Sequence, residues 1–179
     1  MISVEDTALV VIDVQGKLAD IVHESEFVLE QMENLIKGAQ KLDVPIIWIE
    51  QYPEGLGPTT DRLKQHLTDE TYVSKRTFSA CLEDDFMKEI EKLNRKSFLV
   101  TGIESHVCVY QTVRDLLNEK YEVEIVVDAV SSRTEANRNL GIEKMRTLGA
   151  SITSTEMALF DLMRTSKHPQ FREVSALIK

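Results

Sequence analysis

Ser97-Phe98-Leu99-Val100-Thr101-Gly102-Ile103-Glu104-Ser105-His106-Val107-Cys108-Val109 is the stretch on which the fold turns. Ser97-Phe98-Leu99-Val100 reads as a buried strand. Val109, Val113, Leu116 and Leu117 then follow at helical spacing, so the loop between strand and helix delivers Cys108 into the first helical turn. The free N–H groups and dipole of a helix start favour thiolate over thiol, and Cys108 is therefore a candidate nucleophile, expected to react well below neutral pH.

The same alternation of strand and helix extends in both directions. Upstream, Ala8-Leu9-Val10-Val11-Ile12 is a second buried strand that ends at Asp13. Val28, Met32, Leu35, Ala39 and Leu42 mark an amphipathic helix that Ser25 can cap and Pro45 closes. Ile46-Ile47-Trp48-Ile49 is another strand, followed by the Gly- and Pro-rich loop Gln51-Tyr52-Pro53-Glu54-Gly55-Leu56-Gly57-Pro58. Trp48 reads as core, and the loop as a cover for the site, an ordinary connection or a subunit contact. A third helix runs through Phe86, Ile90 and Leu93.

Downstream, Val123 to Asp128 is a strand, and a helix through Ala136, Leu140 and Met145 reaches Gly149, a residue suited to its C-terminal cap. Ser151-Ile152-Thr153 makes a short last strand, and Thr155 can cap a helix through Leu159 and Leu162. Pro169 precedes a final amphipathic stripe of Phe171, Val174 and Ile178. Residues 1–179 are expected to form one domain, with 165–179 a short helical appendage.

Such alternation predicts an α/β/α three-layer fold with a mostly parallel sheet of about five to six strands. In these folds a site lies beyond the carboxyl ends of the strands where strand order reverses. Asp13 and the Cys108 loop both sit at such ends. They converge if the first strand and the Ser97 strand are neighbours.

With 21 basic and 30 acidic residues the chain carries a formal charge of −9, which disfavours nonspecific binding to nucleic acid or anionic membrane. Small neutral substrates or protein partners suit it better. No apolar stretch approaches membrane-span length, and Met1-Ile2-Ser3-Val4-Glu5-Asp6 lacks the basic start of a signal peptide, so a cytoplasmic location is expected. In a reducing compartment the only cysteines, Cys81 and Cys108, read as free thiols. Cys81 is taken as packing.

A thiol that attacks a carbonyl needs a proton acceptor, a cation and donors aimed at the developing oxyanion. Asp13 can accept the proton, Lys75 in Tyr72-Val73-Ser74-Lys75-Arg76-Thr77-Phe78 can supply the cation, and the N–H groups of Glu104 and Cys108 can form the oxyanion hole. Each residue alone has a plainer reading. Asp13 is then a turn residue, Lys75 a solvated charge, Cys108 a small apolar side chain. The case rests on the combination. Gln15 and Gln51 follow strand ends and, with His106, are candidate pocket residues; the plainer readings are surface turns and a structural loop histidine.

Val11-Ile12-Asp13-Val14-Gln15, Lys75 to Ala80, Gly102 to Val109 and Asp128-Ala129-Val130-Ser131-Ser132-Arg133, in that order, resemble the isochorismatase-like superfamily of cysteine hydrolases. The likeness runs from about Thr7 to Met163. Glu50 to Pro58 is similar to the branch of isochorismatase-domain-containing proteins. The resemblance implies a Rossmann-like sheet, a catalytic triad of Asp13, Lys75 and Cys108, a cis peptide between Ile103 and Glu104, and a homo-oligomer, dimer or higher.

True isochorismatases lack the cysteine, and nicotinamidases carry an aspartate and two histidines after the second strand. This chain has Cys108 and, in that region, Gln51-Tyr52-Pro53-Glu54. His23, His66, His106 and His168 show no metal-ligand spacing, so no metal is expected. No Gly-rich phosphate-binding sequence follows a strand, so no nucleotide cofactor is expected either. The expected function is hydrolysis of a small amide-like substrate through a thioester. The alternative is a catalytically silent scaffold of the same fold. A phosphoacceptor receiver domain would need an aspartate where the Ser97 strand ends in Thr101-Gly102.

Overall fold

The computed structural model describes residues 2–179 and contains a six-stranded parallel sheet. Its strands are β1 (Thr7–Ile12), β2 (Ile46–Gln51), β3 (Thr71–Lys75), β4 (Ser97–Ile103), β5 (Glu122–Ser131) and β6 (Ser151–Thr153). They lie in the order β3-β2-β1-β4-β5-β6. The order reverses between β1 and β4, which pair directly from Thr7 opposite Ser97 to Ile12 opposite Gly102. A crevice therefore opens beyond their carboxyl ends.

Alternation along β1 divides the core. Leu9 and Val11 face a cluster built with α1 (Gly16–Ile21), α2 (Ser25–Lys41), α4 (Asp61–Leu67), α8 (Thr155–Met163) and α9 (Phe171–Ser175). Ala8, Val10 and Ile12 face a second cluster built with α5 (Asp84–Leu93), α6 (Tyr110–Asn118) and α7 (Glu135–Thr147). A short α3 (Pro53–Leu56) completes the set. All six residues of β1 and all seven of β4 are buried, as expected of mainly apolar strands covered on both sides, and the hydroxyls of Thr7, Ser97 and Thr101 are hydrogen-bonded there. Val174 is fully buried in the first cluster, so α9 is docked on the core.

Several elements depart from the expected boundaries. β3 does not announce itself as a strand because it lies at the sheet edge, where only Val73 and Lys75 of its five residues are buried. β5 continues past Asp128 to Ser131, with a register shift against β4 between Val100 and Gly102. Ser25 is the first residue of α2 rather than its cap; the cap position is Glu24, in a left-handed conformation. At α8 the capping oxygen belongs to Ser154, whose Oγ accepts from Met157 N at 3.2 Å, and not to Thr155. Gly149 does follow α7 at φ +109°. Trp48 is buried, its ring 4.7 Å from that of Tyr72.

Candidate functional site

Three chain segments meet in the crevice. Asp13 leaves β1 at φ +53°, and its N–H donates to Ile49 O at 3.0 Å, which prolongs the β1–β2 pairing while the side chain turns over the strand ends. The adjoining position in β4 is Gly102, at φ +132°. A Cβ there would lie 2.1 Å from Ile12 O, so only glycine lets β4 run this close to the end of β1. The peptide Ile103–Glu104 is cis. Ser105–Val109 then form a π-helical turn that leads into α6 and holds Cys108 in its first turn.

Lys75, the last residue of β3, completes the cluster. Its Nζ donates to Asp13 Oδ2 at 2.7 Å, to Thr77 O at 3.1 Å and to Gln51 Oε1. Asp13, Lys75 and Cys108 are 5%, 2% and 8% exposed, so their charges interact with little solvent screening. Cys108 Sγ stands 4.0 Å from Gln51 Oε1 and interacts with both Asp13 and Lys75. Asp13 Oδ1 is buried with no hydrogen-bond partner among the described residues. The structure thus brings the three predicted residues together.

The electrostatics depart from the expectation for a helix start. Burial, followed by the Asp13 carboxylate, pushes the Cys108 thiol up to about 12, against the opposing pull of Lys75. Burial also raises the Asp13 carboxyl above its ordinary value, although Lys75 lowers it. Both shifts favour the protonated forms, and the expected reactivity well below neutral pH is not supported.

A cavity of about 650 Å³ opens onto this cluster. Asp13, Gln51 and Cys108 line it, with Leu18, Leu56, Phe78 and Val107 supplying apolar wall. Lys75 is not among the lining residues; it lies behind Asp13 and Gln51. Gln15 lines the cavity, but its amide is occupied: Nε2 donates to Gln51 O at 3.1 Å and Gly57 O at 2.6 Å, and Oε1 accepts from Gln51 N at 2.6 Å. It ties β2 to the 52–58 loop. His106 does not line the cavity; its Nδ1 lies 2.9 Å from Ser132 Oγ. Loop histidines of this kind hold structure. Cys81 is half-buried against Thr112 O at 3.7 Å, in keeping with a packing role.

The segment after β5 braces the nucleophile loop. Ser132 Oγ lies 2.8 Å from Ser105 Oγ, and Glu104 Oε1 accepts from Arg133 N at 3.1 Å and Arg133 Nε at 3.0 Å. From the other side, Gly141 of α7 packs so closely that a Cβ would meet Ser105 C and O at 2.6 Å. Neither brace is visible in sequence spacing. Among the described residues, no group of three or more His, Cys, Asp or Glu side chains is placed to hold a metal ion. No helix among them is long and apolar enough to cross a membrane.

The solved structure titled MAR1 ribonuclease, from Caenorhabditis elegans, superposes with a TM-score of 0.93 at 36% identity, covering 99% of this chain and 91% of that one. Isochorismatase family protein 1B of Dictyostelium discoideum is 35% identical, over 98% of this chain and 87% of its own length. Isochorismatase domain-containing protein 2A of Mus musculus is 36% identical, over 98% and 84%. The isochorismatase domain model matches residues 7–157. With that match spanning all six strands and both halves of the crevice, the chain belongs to the isochorismatase domain family, as a hydrolase of the isochorismatase-like type.

Proposed function

We propose that the protein is a metal-independent cysteine hydrolase of a small amide-like substrate, with Asp13, Lys75 and Cys108 as its catalytic residues. The observation that carries this reading is the buried Asp13–Lys75 ion pair set beside a thiol at the end of an open cavity. Asp13 takes the thiol proton as Sγ attacks the carbonyl, and the N–H groups of Glu104 and Cys108 receive the oxyanion. Collapse expels the amine, protonated by Asp13, and leaves a thioester. Asp13 then draws a proton from water, which attacks the thioester and releases the acid and the free thiol. Lys75 balances the negative charge that moves between carboxylate and sulfur.

The high thiol value fits this order of events. A substrate is attacked when Asp13 removes the proton during bond formation, without a standing thiolate exposed to oxidants. Residues 1–179 act as one domain, in the cytoplasm. Exposed apolar side chains, among them Ile21, Leu82 and Leu140, favour a homo-oligomer. Mass spectrometry of the protein quenched during turnover of a small amide tests the proposal. An acyl increment on Cys108, absent from Cys108→Ala, is expected; turnover retained by Cys108→Ala rejects the mechanism.

A second reading comes from the name of the nematode structure, a ribonuclease at 36% identity. A net charge of −9 and an apolar cavity wall both oppose capture of a polyanion. Cleavage of a fluorogenic RNA by the wild type that disappears in Cys108→Ala would install that reading in place of amide hydrolysis. None is expected.

A further inference from the structure

Three charged side chains line the cavity: Asp13, Lys17 and Glu104. Each of the two acids is already answered by a cation. Lys75 reaches Asp13 from behind at 2.7 Å, and Arg133 holds Glu104 at 3.0 Å. Lys17, exposed on α1 only four residues beyond Asp13, has no hydrogen bond or ion pair among the described residues. The cavity of this acidic protein therefore offers a substrate one uncompensated positive charge. Leu18, Leu56 and Phe78 form the apolar wall of the same space, and Leu56 and Phe78 remain largely exposed.

On the hydrolase reading above, we infer that the substrate is an anionic amide, whose carboxylate pairs with Lys17 while its apolar body lies against Leu18, Leu56 and Phe78. A lysine at the mouth of a cavity takes a carboxylate as a point charge, and entry of the apolar body removes water that would otherwise screen the pair. The same charge penalises a cationic amide. The overall net charge points to neutral substrates, but the cavity has its own sign, and a field focused in a cleft outweighs the distant surface.

Two electrophiles of nearly equal shape test this. N-acryloyl-β-alanine carries a carboxylate, and its primary amide is neutral. In each, Cys108 Sγ adds to the β-carbon of the double bond and the thiol proton passes to the α-carbon, so nothing is oxidised and nothing leaves. Rates of adduct formation on Cys108 are read by intact mass and peptide mapping, each divided by the probe's rate with glutathione. At low salt the wild type is expected to prefer the carboxylate probe by roughly two- to fivefold, the range of a partly exposed ion pair. The preference should persist in Lys17→Arg, vanish in Lys17→Gln, reverse in Lys17→Glu and shrink as salt is added.

An unchanged ratio in Lys17→Gln, or a wild-type preference for the neutral probe, overturns the inference and leaves the hydrolase reading standing. Failure of both probes to add to Cys108 overturns the two together. Circular dichroism of the Lys17 variants, whose substitution lies on the exposed face of α1, separates loss of recognition from loss of fold.

Discussion

Lys75 Nζ lies 2.7 Å from Asp13 Oδ2 with both side chains almost wholly removed from water. A pair in this setting stabilises little as a unit, yet either half alone is costly, because the survivor is a buried charge without a counter-ion. Lys75→Met is expected to lower the unfolding free energy by about 3–5 kcal/mol. Adding Asp13→Asn should recover most of that loss while activity stays absent from both. Urea unfolding followed by the single tryptophan, Trp48, makes the measurement. A double variant no more stable than Lys75→Met contradicts the account.

The Cys108 thiol, held at about 12, should titrate visibly in alkylation kinetics. With iodoacetamide the rate is expected to climb roughly tenfold per pH unit from about pH 7 to 10 without levelling, since the thiolate fraction does so. Asp13→Asn removes one of the causes that raise the thiol, so its curve should move to lower pH even as turnover disappears. Lys75→Met should move it the other way. A wild-type curve that levels near pH 6 is the contrary result.

Gly141→Ala tests the brace behind the nucleophile loop. The added methyl would sit 2.6 Å from the Ser105 carbonyl and displace the turn that carries Cys108. Overpacking of this kind costs about 1–3 kcal/mol, and a displacement on the order of 1 Å can lower kcat by roughly a hundredfold. Gly149→Ala is the comparison. It strains a residue at φ +109° with nothing within 4 Å, so it should lose stability and keep kcat. Equal kcat losses in the two variants would detach the brace from catalysis.

Glu33 offers a test of the strap between α2 and α4. Although burial pushes its carboxyl up, hydrogen bonds from Lys37, Arg62 and His66 outweigh that and hold it at about 2, against an ordinary 4.5. A depressed carboxylate adds stability above the unfolded value and loses it as pH falls toward the folded one. Stability is therefore expected to drop between about pH 4.5 and 2. Glu33→Gln should lose about 1–2 kcal/mol at pH 7, after allowance for solvent screening, and show a shallower acid limb. Urea midpoints at pH 7 and 3 compare the two.

The parallel sheet was legible because β1, β2 and β4 each carry a run of three to five consecutive apolar residues, at 8–12, 46–49 and 98–100, as strands buried on both faces do. Asp13 and Cys108 were legible for the same reason, as the residues that end or follow such runs. Lys75 was readable as a candidate, but its strand was not, because an edge strand with polar Thr71, Tyr72 and Ser74 carries little hydrophobic signal. Side-chain bonding was hidden altogether. Gln15 turned out to be a tie between main-chain segments, Gln51 an acceptor for Lys75, and His106 a partner of Ser132, and none of these choices leaves a periodic trace. Lys17, in a short helix absent from the expected elements, passed unnoticed for want of any pattern around it.

Lys75 reaches the crevice from β3, a border strand that pairs on one side only, with β2. Such margins loosen before a protein's centre does. As β3 frays on warming, the ammonium withdraws and the Asp13 carboxylate is left buried without its counter-ion, with β1 and β4 still in place. Heat inactivation should accordingly run ahead of the melting curve, and recover on cooling.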